Sequence, residues 1–205
     1  MNITKDTKIY YINLPSNEDR NKNMQNLLNR FGFTNYQRVN AFDTRDLSKV
    51  QKYRKFIDDS AFKQLENTNI TKLRKYHEEL TCGSIGCFLS HLYIYKLMIE
   101  NNIESAIVCE DDLKINLDKN EFWKFINSLE IPDDTDMYLI DGCSAENKQI
   151  INKLSNTSTI SRFFCTHFYF VTLKGAQKLL KYLLPIKYQI DSQMSVLNVH
   201  KIIKI

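Results

Sequence analysis

The sequence has no apolar run long enough to cross a bilayer, and its opening, MNITKDTKIYY, has no apolar signal core. These absences lead to the expectation of a cytoplasmic protein that meets any membrane-borne partner from the surface. It has no CxxC pair. Five cysteines (Cys82, Cys87, Cys109, Cys143, Cys165) stand apart in an odd number, which points to a reducing compartment and away from a structural zinc. Cys87 and Cys109 sit on apolar patterns and read as small core residues. It has no strong charge excess either. The net charge is +4 and the Lys and Arg residues are scattered, so nucleic acid is not an expected partner. A nucleotide diphosphate remains compatible with so mild a basic balance. Nor is there an internal repeat, a low-complexity run or a linker. A chain of 205 residues therefore reads as one domain, 1–205, with a full-sized core.

What is present begins with a βαβ unit. Lys8 to Leu14 alternates and is rich in aromatic and β-branched residues, which predicts a strand closed by Pro15. Ser16 and Asp19 have the spacing of a capping box, and Met24, Leu27, Leu28 and Phe31 form a helical stripe that stops at Gly32. Tyr36 to Ala41 predicts a second strand. Such units open nucleotide-binding domains, whose strand ends contact base and ribose. Asn13, Leu14 and Ala41 are the candidates there; each reads equally well as a turn residue. No Gly-rich phosphate loop follows the first strand, which argues against a nucleotidyltransferase. Asp43 to Leu80 is polar and weakly periodic. It predicts a helix within Lys49 to Gln64, a loop over Glu66 to Lys72, and a lid role for an irregular segment of this length.

The most informative stretch is Thr81 to Ile115, TCGSIGCFLSHLYIYKLMIENNIESAIVCEDDLKI. Ile85, Phe88, Leu92, Tyr95 and Ile99 recur at helical spacing and predict a helix with one buried face. Ala106 to Cys109 predicts a short core strand, and three consecutive acids, Glu110, Asp111 and Asp112, end it. Open α/β sheets place their ligands at that edge. Three adjacent anions repel one another and call for a cation, for which a hard divalent metal with oxygen ligands is the natural choice; a solvated turn is the plain alternative. Further on, Asp118 to Leu129 predicts a helix with Trp123 in the core. Asp136 to Gly142 predicts a strand carrying Asp141 at its end, and Phe163 to Thr172 a strand on which His167 reads as a core residue. Lys174 to Leu184 predicts a helix closed by Pro185.

Taken together, LTCGSIGCFLSH followed by AIVCEDDLKI resembles the family 25 glycosyltransferases, which include lipooligosaccharide and collagen galactosyltransferases. The resemblance rests on Gly83, Gly86, Cys87, Ser90, His91 and the Glu110-Asp111-Asp112 triplet. Asn13, Leu14 and Arg20 in the first turn and the late FYFVTLKGAQKLLKYLLPIKYQID extend it over about residues 8 to 191. It implies an α/β fold of the GT-A type, with a mostly parallel central sheet flanked by helices. It also implies an inverting, Mn²⁺-assisted transfer of galactose or glucose from a UDP-sugar to a hydroxyl of a glycan, lipooligosaccharide or collagen-like acceptor. By the resemblance, Glu110, Asp111 and Asp112 hold the metal, and Glu110 also contacts the donor. Thr81, Gly83, Gly86, His91 and Arg20 serve the donor, with Asn13, Leu14 and Ala41 near its base. Asp191 or Asp141 acts as the general base, and His200 is a possible late metal ligand. A scaffold protein that kept the fold without turnover is the alternative from another class; the intact acidic triplet argues against it.

Overall fold

Alternation along the strands decides the architecture. In the computed structural model, which describes residues 1–144, 149–150, 158–160 and 162–205, the main sheet contains β1 (Ile9–Asn13), β2 (Tyr36–Asn40), β3 (Ser105–Glu110), β4 (Met137–Ser144) and β7 (Phe163–Thr172). The spatial order is β2-β1-β3-β7-β4. β1 pairs parallel with β2 and β3, while β7 runs antiparallel to both β3 and β4, so four of the five strands share one direction. Two short strands, β5 (Gln149–Ile150) and β6 (Ser158–Thr159), make a separate ladder.

Successive side chains point to opposite faces of a strand, and both faces here are apolar. Tyr10, Ile12, Ala106, Val108, Tyr169 and Val171 meet α4 (Cys82–Glu100), α6 (Leu173–Tyr182) and α7 (Ile190–Val199). Ile9, Tyr11, Ile107, Cys109, Phe168 and Phe170 meet α1 (Glu18–Phe31) and α5 (Lys119–Asn127). Trp123 belongs to this second layer, packed against Phe33 and donating its indole N–H to the Phe31 carbonyl at 2.8 Å.

Several local expectations change. The N-cap of α1 is Asn17, without a side-chain cap, because a turn from Leu14 to Asn17 leaves Ser16 outside the helix. Its stop is as expected: Gly32 adopts φ 82° and returns its N–H to the Leu28 and Asn29 carbonyls. The polar middle holds α2 (Leu47–Gln51), a 3-10 turn (Arg54–Phe56) and α3 (Asp59–Thr71). The expected loop over Glu66 to Lys72 is therefore mostly helix, anchored by Ala61, Phe62, Leu65 and Thr68 on one buried stripe.

The expected single buried face of α4 is also too narrow. Eleven of its 19 residues are buried, since sheet, α6, α7 and α2 surround it, and Met98 rather than Ile99 closes the stripe. At 19 residues, with a mean hydropathy of 1.2 over an 18-residue window, α4 does meet the length and composition of a membrane span, contrary to the reading that no stretch does. Here it is a core helix. The helix α7, placed in an unassigned tail by sequence, packs Ile190, Met194 and Leu197 inward.

Candidate active site

The parallel strands bring the ends of β1 and β3 to one edge of the sheet, and α4 begins at that edge because it runs back against them. β7 arrives from the opposite direction, so its first residues, Phe163 to His167, reach the same edge.

The helix start separates into two stripes of i, i+4 neighbours. One stripe is structural. A Cβ on Gly86 would lie 2.2 Å from the Phe42 carbonyl oxygen and 2.6 Å from Thr44 Oγ1, so only glycine lets the loop after β2 rest on the helix. Ser90 completes this seam: its hydroxyl donates to the Gly86 carbonyl at 2.6 Å and accepts the Phe42 N–H at 3.0 Å. Gly86, expected to serve the donor, is thus a packing residue. Thr81 is the N-cap; its Oγ1 accepts the Ser84 N–H, and the Ser84 hydroxyl accepts the Thr81 N–H in return.

The other stripe, Gly83, Cys87 and His91, faces the strand ends. Gly83 and Cys87 line a cavity of about 180 Å³, and a Cβ on Gly83 would meet no atom within 4 Å. Cys87, expected as a small core residue, packs against the core but is only partly buried, because it also lines this cavity. Burial first, and then the charges of Glu110, Asp191 and Asp112, push its thiol well up. His91 is fully buried. Its Nδ1 lies 2.7 Å from the Tyr169 hydroxyl, which in turn lies 2.7 Å from the Tyr95 hydroxyl. Its Nε2 is 3.5 Å from Glu110 Oε1, without a well-formed hydrogen bond. The imidazole thus looks toward Glu110 rather than into the cavity.

The three acids take different roles. Glu110 accepts the Thr166 hydroxyl at 2.7 Å. Desolvation, the largest influence, raises its carboxyl pKa, but His91, then Thr166 and His167, outweigh it and hold the group below the ordinary range. Asp111 accepts from Asn13 Nδ2 at 2.6 Å and from Arg20 Nη1 at 2.9 Å, and its side chain is 12% exposed. Both of its oxygens are engaged, so Asp111 braces β1 and α1 against β3 and belongs to neither group of metal-competent donors among the described residues. Arg20 also lies 3.8 Å from Asp112. Mutual repulsion of the acids is thus partly relieved by Arg20, and it does not by itself require a metal.

Geometry supplies a better argument for one. Donor atoms of Glu110, Asp112 and His167 lie within 4.8 Å of one another, as do those of Cys87, His91 and Glu110. Two carboxylates and an imidazole suit a first-row divalent ion, Mn²⁺ included. Sequence reasoning had assigned His167 to the core. His200 caps the far end of α7, nine residues past Asp191, about 13 Å along the helix, and joins neither group.

The cavity beside the acids is lined by Asn13, Leu14, Arg20, Ala41, Gly83, Glu110 and Asp111, all expected from sequence. Phe42, Asp43, Thr44 and Arg45 also line it, with Ile12, Asn17 and Cys87, and were not expected as site residues. Arg45, followed by Lys49, hydrogen-bonds Asp43 and holds that carboxyl far below the usual range. Asn13 Oδ1 is buried in the cavity wall with no protein partner.

The two candidate bases differ. Asp191, 8% exposed in the first turn of α7, accepts the Cys165 N–H at 2.9 Å and the Ser192 N–H at 2.6 Å. Cys165 there adopts φ 73°. Asp141 is exposed on β4 between two register shifts, opposite Phe168, which in turn faces Cys109. That puts it two strands from β3, about 10 Å by ladder spacing.

The profile of glycosyltransferase family 25 (LPS biosynthesis protein) matches residues 6–194. Procollagen galactosyltransferase 1-B of Xenopus laevis is 28% identical over 188 residues, covering 84% of this chain and 28% of the relative. Procollagen galactosyltransferase 2 of Homo sapiens is 29% identical over 126 residues, 57% of this chain and 20% of the relative. A glycosyltransferase 25 family member of Aedes aegypti is 35% identical over 107 residues, 52% of this chain and 16% of the relative. The chain therefore spans less than a third of the length of these relatives.

Proposed function

The chain belongs to glycosyltransferase family 25, and on that premise we propose that it transfers galactose or glucose from a UDP-sugar to a hydroxyl acceptor, with inversion at the anomeric carbon. The observation that carries this reading is the meeting of Glu110, Asp112 and His167 donor atoms within 4.8 Å, with Glu110 itself lining the cavity at the ends of β1 and β3. The names of the procollagen galactosyltransferase relatives support a galactosyl donor.

In this reading the nucleotide occupies the cavity between Asn13, Ala41 and Gly83. The unpartnered Asn13 Oδ1 accepts an N–H of the base, and the open face of Gly83 leaves room for the diphosphate near the positive end of α4. Arg20 and Arg45 at the rim add charge-assisted contacts. Glu110, Asp112 and His167 would hold a divalent ion, which when bound supplies Lewis-acid neutralisation of the departing diphosphate. Thr166 fixes the Glu110 carboxylate by a hydrogen bond, with His91 Nε2 3.5 Å from it. Asp191 is the base: the backbone N–H groups of Cys165 and Ser192 hold its carboxylate in place, and lone pairs remain on its oxygens to receive the acceptor's hydroxyl proton.

The test is UDP release from a panel of UDP-sugars, with Mn²⁺ or with EDTA. UDP-galactose or UDP-glucose is expected to turn over with Mn²⁺, to stop with EDTA, and to recover when the ion is restored. Full activity in excess EDTA refutes the metal. Absence of both turnover and UDP binding refutes the donor.

A further inference from the structure

A second, larger cavity of about 330 Å³ lies along α7, bounded by Glu78, Arg162, Phe164, Tyr188, Ser192 and His200 among others. Its size falls in the range of small-molecule sites. Two stretches of chain link its wall to the candidate centre. Ser192, in its wall, follows Asp191 in the first turn of α7. Along β7, the Phe163-Phe164 wall is followed by Cys165, whose N–H binds Asp191, then by Thr166 on Glu110 and His167 beside Asp112. Asp191 therefore stands between this cavity and the acidic cluster.

The walls are built rather than incidental. Gln189 donates its N–H to the Glu78 carbonyl at 3.0 Å and its side-chain amide to the Glu79 carbonyl at 3.2 Å, which fixes the loop before α4 against the start of α7. His77 meets Phe164 edge-on at 5.4 Å. Tyr188 leaves 43% of its surface open. Two aromatic rings thus offer apolar faces, while Glu78, Arg162, Ser192 and His200 offer donors and acceptors of both signs. A ring with C–H faces and a hydroxyl rim matches that lining. A second nucleotide would need an excess of positive charge, which one Arg beside one Glu does not give.

An extended peptide fits less well, because it would need free backbone on β7. That backbone is already taken: Ser195 Oγ accepts the Phe163 N–H at 3.1 Å and donates to its carbonyl, and Asp191 accepts the Cys165 N–H.

We infer that the cavity along α7 is the acceptor subsite and that it takes the terminal hexose ring of a glycan, with one ring hydroxyl turned toward Asp191. This rests on the transferase reading above. The probes are methyl β-galactoside, methyl β-glucoside and a hydroxylysine-containing collagen-like peptide, followed by saturation-transfer NMR with UDP and Mn²⁺ present. UDP binding is titrated on the same samples. At least one hexoside is expected to bind wild-type protein, and Tyr188→Ala to weaken it about tenfold through loss of an aromatic face, with UDP binding unchanged. UDP binding without any hexoside binding overturns the acceptor subsite and leaves the donor reading intact. Tyr188-dependent hexoside binding without UDP binding does the opposite. Binding of the peptide alone, sensitive to Tyr188→Ala, overturns the saccharide in favour of a peptide occupant.

Discussion

Replacing Tyr169 with Phe removes one oxygen atom from the middle of the buried chain Tyr95–Tyr169–His91. Burial pushes both phenols far up, so each remains a hydroxyl at any ordinary pH. The Tyr169 hydroxyl serves Tyr95 and His91 at 2.7 Å each, and all three residues have no exposed surface. Its loss leaves two buried polar groups without a partner, at about 1–3 kcal/mol each, so Tyr169→Phe is expected to cost about 3 kcal/mol. Tyr95→Phe removes only the outer end of the chain, leaves Tyr169 bonded to His91, and costs about 1 kcal/mol. The double variant orphans only His91, so it should be less destabilised than the sum of the single variants by about 2 kcal/mol. Urea unfolding of the four proteins reads these differences, and the Tm of Tyr169→Phe should fall about 6–12 °C for a chain of this size. Equal effects of the two single variants, or strict additivity in the double, would refute the shared hydroxyl. The same substitution frees the His91 imidazole ring that faces Glu110, so turnover should fall by more than the folded fraction accounts for.

Asp112→Asn should abolish metal-dependent turnover with stability within about 1 kcal/mol of wild type, because this side chain is half exposed and its nearest cation is 3.8 Å away; a melting curve beside the UDP-release assay checks both. Gly86→Ala should destabilise by about 1–3 kcal/mol, since the new methyl meets the Phe42 backbone, and urea unfolding measures it. Gly83→Ala should move the two readouts in opposite directions. Stability rises by about 0.5–1 kcal/mol from helix propensity, while UDP affinity falls as the methyl enters the cavity; unchanged affinity would remove Gly83 from the nucleotide site.

Much of this arrangement was legible before any coordinates. Alternation and short apolar or aromatic runs located β1, β2, β3, β4 and β7, the rule that ligands gather at parallel strand ends pointed to Asn13 and Glu110, and the family resemblance added Gly83. The misses share a physical origin. The buried stripe of α3 was hidden by the polar residues around it, and α7 by its weak contrast between faces. His167 was read as core because strand pairing direction is a tertiary property: on a parallel strand it would lie away from the acids, and only antiparallel β7 brings it to them. Asp111 illustrates the reverse error. Its place in an acidic triplet suggested a ligand, whereas the amide of Asn13 and the guanidinium of Arg20 claim its oxygens.

The direction of β7 also sets an order of assembly. Glu110 and Thr166 are 56 positions apart, and His91 and Tyr169 are 78 apart. Contacts across such separations form late, because a long loop loses its freedom before any native contact compensates. As the chain emerges from the ribosome, β1, β2, α4 and β3 come first and carry Asn13, Ala41 and Gly83 with them. β4 follows with no partner in the main sheet, since it pairs there only with β7. When β7 inserts between β3 and β4, one event closes the sheet and brings His167 to Glu110 and Asp112. A nascent chain can therefore complete most of the cavity at the ends of β1 and β3, with Glu110 and Asp112 in place, while still lacking His167 and Asp191.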